Sequence, residues 1–281
     1  MTEATATPDA PEAATGPDVI FEATGVVKRF GGIRAVNGAT MSVGRGSITA
    51  LIGPNGAGKT TFFNVITGFY KPNGGTASFD GKPVLGRPAH KIARHGMVRT
   101  FQITKALARM PVMDNMLLAA PNQPGESLTG AVFRPVASRK REKEIREQAE
   151  ELLASFNLDK KADDYAGTLS GGQRKLLELA RALMTSPRFL LLDEPMAGIN
   201  PTLGRRLLEH MQRLRQEDGV TFLFVEHDMD VVMNHSDQVV VMAEGRVIAS
   251  GTPDQIRGDQ KVIDAYLGGG GTSDEAETRD L

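Results

Sequence analysis

The chain has 281 residues, 40% hydrophobic and 24% charged, the balance of a globular protein long enough for one large α/β domain or two small ones. A net charge of −1 offers no excess of positive charge for nucleic acid as the main partner, and the lack of cysteine excludes disulfides and thiolate chemistry and fits a reducing cytosol. No apolar run approaches the roughly 20 residues that span a bilayer, so any work at a membrane leaves the crossing to another chain.

Residues 1–17 are mostly Ala, Thr, Pro and Glu and read as a disordered tail; the basic start and apolar core of a signal peptide are missing. Strands are expected over Val19–Val27, Ala39–Val43 and Ser47–Ile52, the last two parted by the turn Gly44-Arg45-Gly46. The stretch ITALIGPNGAGKTT from Ile48 reads as a buried strand, a glycine-rich turn and a helix start. Gly53, Gly58, Lys59 and Thr60 fit the G-x-x-x-x-G-K-[ST] pattern of a P-loop. A polyphosphate needs converging backbone N–H groups, and Gly53, Gly56 and Gly58 let the loop curl close to the oxygens. The candidate cradle is Gly53, Pro54, Asn55, Gly56, Ala57, Gly58, Lys59, Thr60 and Thr61. Lys59 reaches the β- and γ-phosphates, the helix adds its positive dipole end, and the Thr60 hydroxyl suits a hard Mg²⁺ ion.

The P-loop helix is expected to run to about Thr67, with Gly68 as its stop. A strand over Thr76–Phe79 and a short helix over Pro88–His95 follow. Residues 111–187 look mainly helical, interrupted by a Pro/Gly-rich loop at 121–137. Ser138–Phe156 is amphipathic, with Ile145, Ala149, Leu152, Leu153 and Phe156 on one face. Its basic run Arg139-Lys140-Arg141 is read as a solvated helix start, because Glu142 and Glu144 follow at once.

An α/β rhythm returns with strands at Phe189–Leu192, Val220–Val225, Gln238–Met242 and Arg246–Ala249. Helices are expected at Pro201–Gln216, at Met229–Asn234 and within 253–267, and 268–281 read as a second disordered tail. The folded part is thus 18–267. Its fold class is α/β: a P-loop NTPase core with a parallel sheet, an N-terminal antiparallel β subdomain and a helical subdomain at about 103–187.

The apolar strand from Phe189 ends in two carboxylates, Asp193 and Glu194. Ligand sites in open α/β sheets lie beyond the carboxyl ends of strands, so both acids can meet the P-loop there. Asp193 fits a Mg²⁺ ligand, and Glu194 is placed to polarise a water for attack on a γ-phosphate. A helix cap or turn is the bland alternative; the following Pro195 and the preceding P-loop favour function. Leu169-Ser170-Gly171-Gly172-Gln173 reads as a helix start, Ser170 resembling a cap and the two glycines leaving N–H groups open to an anion.

The three motifs, in this order, resemble the ATP-binding subunit of ABC transporters over about residues 19–267. The resemblance makes Gly53–Thr60 the P-loop, Leu190–Asp193 with Glu194 the Walker B strand, and Leu169–Gln173 the signature. It implies that Gln102 is the Q-loop glutamine, contacting the metal and attacking water and sensing the transmembrane partner. It likewise implies that His227 is the switch histidine on the γ-phosphate, and that Phe30 stacks on adenine where the family often has Tyr. Substrate and cofactor are then ATP and Mg²⁺, with Thr60, Gln102 and Asp193 as metal ligands and Glu194, His227 and Gln102 as catalytic residues. Two chains would pack head to tail, Ser170, Gly171, Gly172 and Gln173 of one closing over the nucleotide of the other.

Whole phrases resemble the branched-chain amino-acid importers more narrowly: Arg29–Val36, Thr67–Pro72, Val98–Gln102, Ala197-Gly198-Ile199-Asn200-Pro201 and Ile263–Gly268. Asn200 cannot carry charge across the dimer interface and is expected to make a polar contact there. Such importers use two different ATPases, two permeases and a soluble binding protein, and this chain is similar to the longer ATPase. The expected place is the cytoplasmic face of the cell membrane, without nucleic acid. A urea or amide importer, an iron–sulfur assembly ATPase of the same family and a lipid exporter remain alternatives, and the solute belongs to a different chain.

Overall fold

The computed structural model describes residues 19–100, 107–121 and 135–267. Both terminal tails, most of the expected 121–137 loop and Gln102 lie outside the described residues.

Two sheets are built. The first is antiparallel, in the order β2 (Ile33–Gly44), β1 (Val19–Phe30), β4 (Gly74–Phe79) and β5 (Lys82–Pro83). β1 and β2 run longer than expected and meet in a hairpin at Gly31-Gly32. Exposed residues such as Ile33 and Arg34 at that tip break the alternation by which a strand is recognised.

The second sheet has the order β10 (Arg246–Gly251), β9 (Gln238–Ala243), β3 (Ile48–Ile52), β8 (Thr221–Val225), β7 (Phe189–Asp193) and β6 (Met97–Arg99). The strands from β9 to β6 are parallel, and β10 is an antiparallel edge strand. β9 and β10 join through Glu244 and Gly245, whose φ values of 50° and 76° suit the two-residue turn that matches strand twist. β6 was not expected. Its three residues are too few for a pattern, and only pairing with β7 makes them a strand.

Apart from Thr49, Thr221 and the terminal Asp193, the central strands β3, β8 and β7 are apolar because each faces two cores. Leu190, Leu192, Phe222 and Phe224 point into a core shared with the helices α4 (Pro135–Ser155), α5 (Gly171–Leu183) and α6 (Pro201–Asp218). Leu191, Leu223 and Val225 point into a second core, with the antiparallel sheet and the P-loop helix α1 (Lys59–Ile66). α4 starts at Pro135 rather than Ser138, and Ile145, Ala149, Leu153 and the following Phe156 bury its apolar face as the periodicity implies. Smaller helices are α2 (Ala89–Arg94), α3 (Val112–Ala119), α7 (Met229–His235), α8 (Pro253–Arg257) and α9 (Gln260–Leu267). Among the described residues no helix is long and apolar enough to cross a membrane.

Candidate active site

The P-loop lies between the end of β3 and α1. Two of its glycines are required by close backbone contacts. A Cβ on Gly53 would stand 2.0 Å from the Met242 carbonyl oxygen, and one on Gly58 2.3 Å from that of Ala35. The loop is pinned beneath by Gly245 N donating to Ala57 O at 2.9 Å. Lys59 opens α1 and is buried; its ammonium donates to Gly53 O at 2.6 Å and Pro54 O at 3.1 Å. Burial lowers its pKa, opposed by the negative charges of Glu194 and Asp193.

Thr60 shares a cavity of about 600 Å³ with Arg99, Lys175, Glu178, Asp193 and Glu194. Parallel pairing of β6 with β7 brings Arg99 beside the Walker B strand. Arg99 Nη2 donates to Asp193 Oδ2 at 2.6 Å and Nη1 to Asn64 Oδ1 on α1 at 2.7 Å. One guanidinium therefore joins the P-loop helix to the candidate metal carboxylate. Sequence reading missed Arg99, because its role exists only once β6 is paired.

Glu194 follows β7 with φ of 50°, a left-handed backbone uncommon for a residue with a side chain. Its N–H donates to Val225 O at 3.0 Å, and its carbonyl accepts from Lys175 Nζ at 2.7 Å. Its Oε1 lies 3.0 Å from His227 Nε2. Two of the expected catalytic residues, from the ends of β7 and β8, thus meet. Glu226 supports this pair from below. It is buried, accepts from Met196 N at 2.7 Å through Oε1 and from His227 N at 3.2 Å through Oε2. Burial raises its pKa, against the lowering effect of those two donors. Glu226 and Lys175 were also missed: a polar residue beside a motif carries no local signal of what it holds.

Ser170 caps α5 as expected. Gln173 N donates to Ser170 Oγ at 3.2 Å and Ser170 N to Gln173 Oε1 at 3.0 Å, a capping box that turns the Gln173 side chain back on its own helix start. Gly171 is exposed, whereas Gly172 is buried against α6, where a Cβ would come 2.2 Å from Leu203 Cδ2. Packing therefore requires Gly172 independently of any ligand. None of Leu169–Gln173 lines the cavity that holds Thr60 and Asp193. Asn200 caps α6, its Oδ1 accepting from Leu203 N at 2.9 Å.

Phe30 is 44% exposed at the tip of β1. Tyr70 meets it edge-on with ring centroids 5.3 Å apart, and Lys28 Nζ stands 4.8 Å from the Phe30 centroid. Phe30 is thus held on two sides and open elsewhere. Gln102 cannot be placed, as it lies outside the described residues.

The residues fit Mg²⁺. The Thr60 hydroxyl and Asp193 carboxylate are hard oxygen donors on one cavity wall. Among the described residues no group of three or more His, Cys, Asp or Glu gathers. That suits an ion bound through one or two protein oxygens, substrate phosphates and waters rather than an all-protein cage.

Comparison with known proteins bears on family and fold. The family described as "ABC transporter" matches residues 36–197, and "Branched-chain amino acid ATP-binding cassette transporter" matches 246–272. The chain is 46% identical over 249 residues to the "High-affinity branched-chain amino acid transport ATP-binding protein BraF" of Pseudomonas aeruginosa, covering 89% of this chain and 98% of that one. A solved nucleotide-free ATP-binding cassette from an ABC transporter superposes with a TM-score of 0.77 at 38% identity, over 88% of this chain and 98% of that one. An ADP conformation of such a cassette gives 0.76 at 38% identity, over 89% and 99%. Matched over more than half its length by that family and 46% identical to such a relative, the chain belongs to the ABC transporter family.

Proposed function

We propose that the cavity is one half of a shared ATP-hydrolysing site, with Glu194 as its general base. The observation that carries this is the 3.0 Å contact between Glu194 and His227 beside the cavity wall formed by Thr60 and Asp193. Phe30 stacks on the adenine. The P-loop amides from Gly53 to Thr61 and the Lys59 ammonium bind the phosphates, and Arg99 fixes the Asp193 carboxylate. Thr60, Asp193 and Gln102 would hold a Mg²⁺ ion, which would supply charge neutralisation to the phosphates. Glu194 takes the proton of an in-line water as its oxygen attacks the γ-phosphorus. The bond to the β–γ bridging oxygen breaks, leaving ADP and phosphate, and His227 steadies the terminal phosphate. Ser170, Gly171 and Gly172 serve the nucleotide of a second cassette packed head to tail, which is consistent with their lying off the cavity wall.

The chain is the ATP-binding subunit of an ABC importer of branched-chain amino acids and hydrolyses ATP. It works on separate permease subunits at the cytoplasmic face of the membrane, and a soluble binding protein delivers the solute. The test is Glu194→Gln. It should keep ATP affinity, lower hydrolysis by about 100-fold or more and accumulate a cassette pair with Mg²⁺ and ATP. Cells carrying it should lose uptake of labelled leucine, isoleucine and valine. Hydrolysis at the normal rate removes Glu194 as base; normal uptake with failed hydrolysis removes the importer role.

A further inference from the structure

Lys175 takes no part in the mechanism above, yet it enters the site from a separate part of the fold. It stands on α5, the helix that begins with the signature. Its ammonium donates to the main-chain carbonyl of Glu194 in the same chain, at 2.7 Å. Glu194 has φ of 50°, so its peptide units stay in this orientation only while neighbours hold them. Two restraints come from the end of β8 and the residues just beyond it: Val225 O takes the Glu194 N–H at 3.0 Å, and His227 meets the carboxylate at 3.0 Å. The carbonyl side is held by Lys175.

The surroundings commit the ammonium to that carbonyl. Glu178, Glu194 and Glu226 all act on it electrostatically, but among the described residues it closes no salt bridge with any of them. Glu178 lies one turn along α5 and lines the same cavity, with its Oε1 buried and without a hydrogen-bond partner. Burial lowers the pKa of Lys175, opposed by the negative charges of Glu226, Glu178 and Glu194.

We propose that Lys175 is a positioning residue for hydrolysis: from the signature helix it holds the main chain of its own Glu194 so that the carboxylate faces His227 and the attacking water. One rigid helix then carries two duties, donors for a partner's nucleotide at its first turn and a strut to its own base one turn later. The inference rests on reading Glu194 as the general base.

The test uses the full chain with the subunits that purify with it, as wild type, E194Q, Lys175→Met and Lys175→Arg. Steady-state ATPase and binding of a fluorescent ATP analogue are measured on each. Loss of this charged hydrogen bond should lower the kcat of K175M about tenfold while KM and nucleotide affinity stay within about twofold, and K175R should recover most of the rate. If K175M lacks a cooperative melting transition, Lys175→Gln replaces it. An E194Q protein that hydrolyses normally removes the base assignment itself. With E194Q inactive, an unchanged kcat in K175M, a loss confined to ATP affinity, or a K175R as slow as K175M each overturns the role of Lys175 and leaves Glu194 as base.

Discussion

Phe30 shows how a single side chain can be placed by its neighbours rather than by its own strand. Tyr70 meets its edge and the Lys28 ammonium lies over its ring, so its orientation is set before a base arrives. Base stacking on an aromatic contributes roughly 1–3 kcal/mol. Phe30→Ala should therefore raise the KM for ATP about tenfold with a smaller change in kcat, measured by steady-state kinetics; a change in kcat alone would place the adenine elsewhere. Glu178 gives a second test at this scale. Burial raises its pKa from 4.5 to about 7, opposed by Arg181 and Lys175. The folded state thus holds a proton that the unfolded chain has released, so this residue costs stability as pH rises from 4.5 towards 7. Glu178→Gln should gain stability over the wild type at pH 8 and little at pH 4.5 or below, by urea unfolding. An equal difference at both values means that folding leaves the Glu178 pKa unshifted. Such residues explain what the sequence left unread. The P-loop, Asp193, Glu194 and Ser170 are legible because their chemistry is written in adjacent positions. Arg99, Lys175, Glu226 and Tyr70 acquire meaning only from contacts with residues 19 to 94 positions away.

Among the elements, the apolar strands β7 and β8 were legible from short hydrophobic runs, and α4 from its 3.6-residue period. β6 and the start of β2 were not, because one depends wholly on its neighbour and the other projects into solvent. The start of α6 combines both kinds. Pro201 was legible as the helix start, whereas Asn200, read only as a polar contact across an interface, caps the helix, and Leu203, two residues after Pro201, packs where a side chain on Gly172 would sit. Helices α5 and α6 are therefore fitted to each other at their N-terminal ends. Asn200→Ala removes the bond to Leu203 N and should cost about 1 kcal/mol. For a chain of this size that is a fall in Tm of roughly 2–4 °C by calorimetry. No fall would mean that water replaces the cap fully.

On the scale of the whole molecule, none of Leu169–Gln173 lines the cavity of its own chain that holds Thr60 and Asp193. Specific ATPase activity should then rise with cassette concentration and level off once pairs form. An activity per chain that does not change on dilution would mean that one chain completes its own site.

The two cores described above root two helices of the site separately, although β3 and β7 reach into both. Leu176, Leu177, Leu179 and Leu183 root the signature helix in the first, and Phe62, Phe63, Val65 and Ile66 root the P-loop helix in the second. A lesion confined to the packing face of either helix thus spoils one end of the proposed nucleotide clamp and leaves the other helix rooted. If two copies of this chain pair head to tail, rather than one copy with a different ATPase, one inactive allele from each class brings an intact P-loop opposite an intact signature. Alleles that fail singly should complement each other in a cell that carries both, restoring one working site of the two; two alleles from the same class should not.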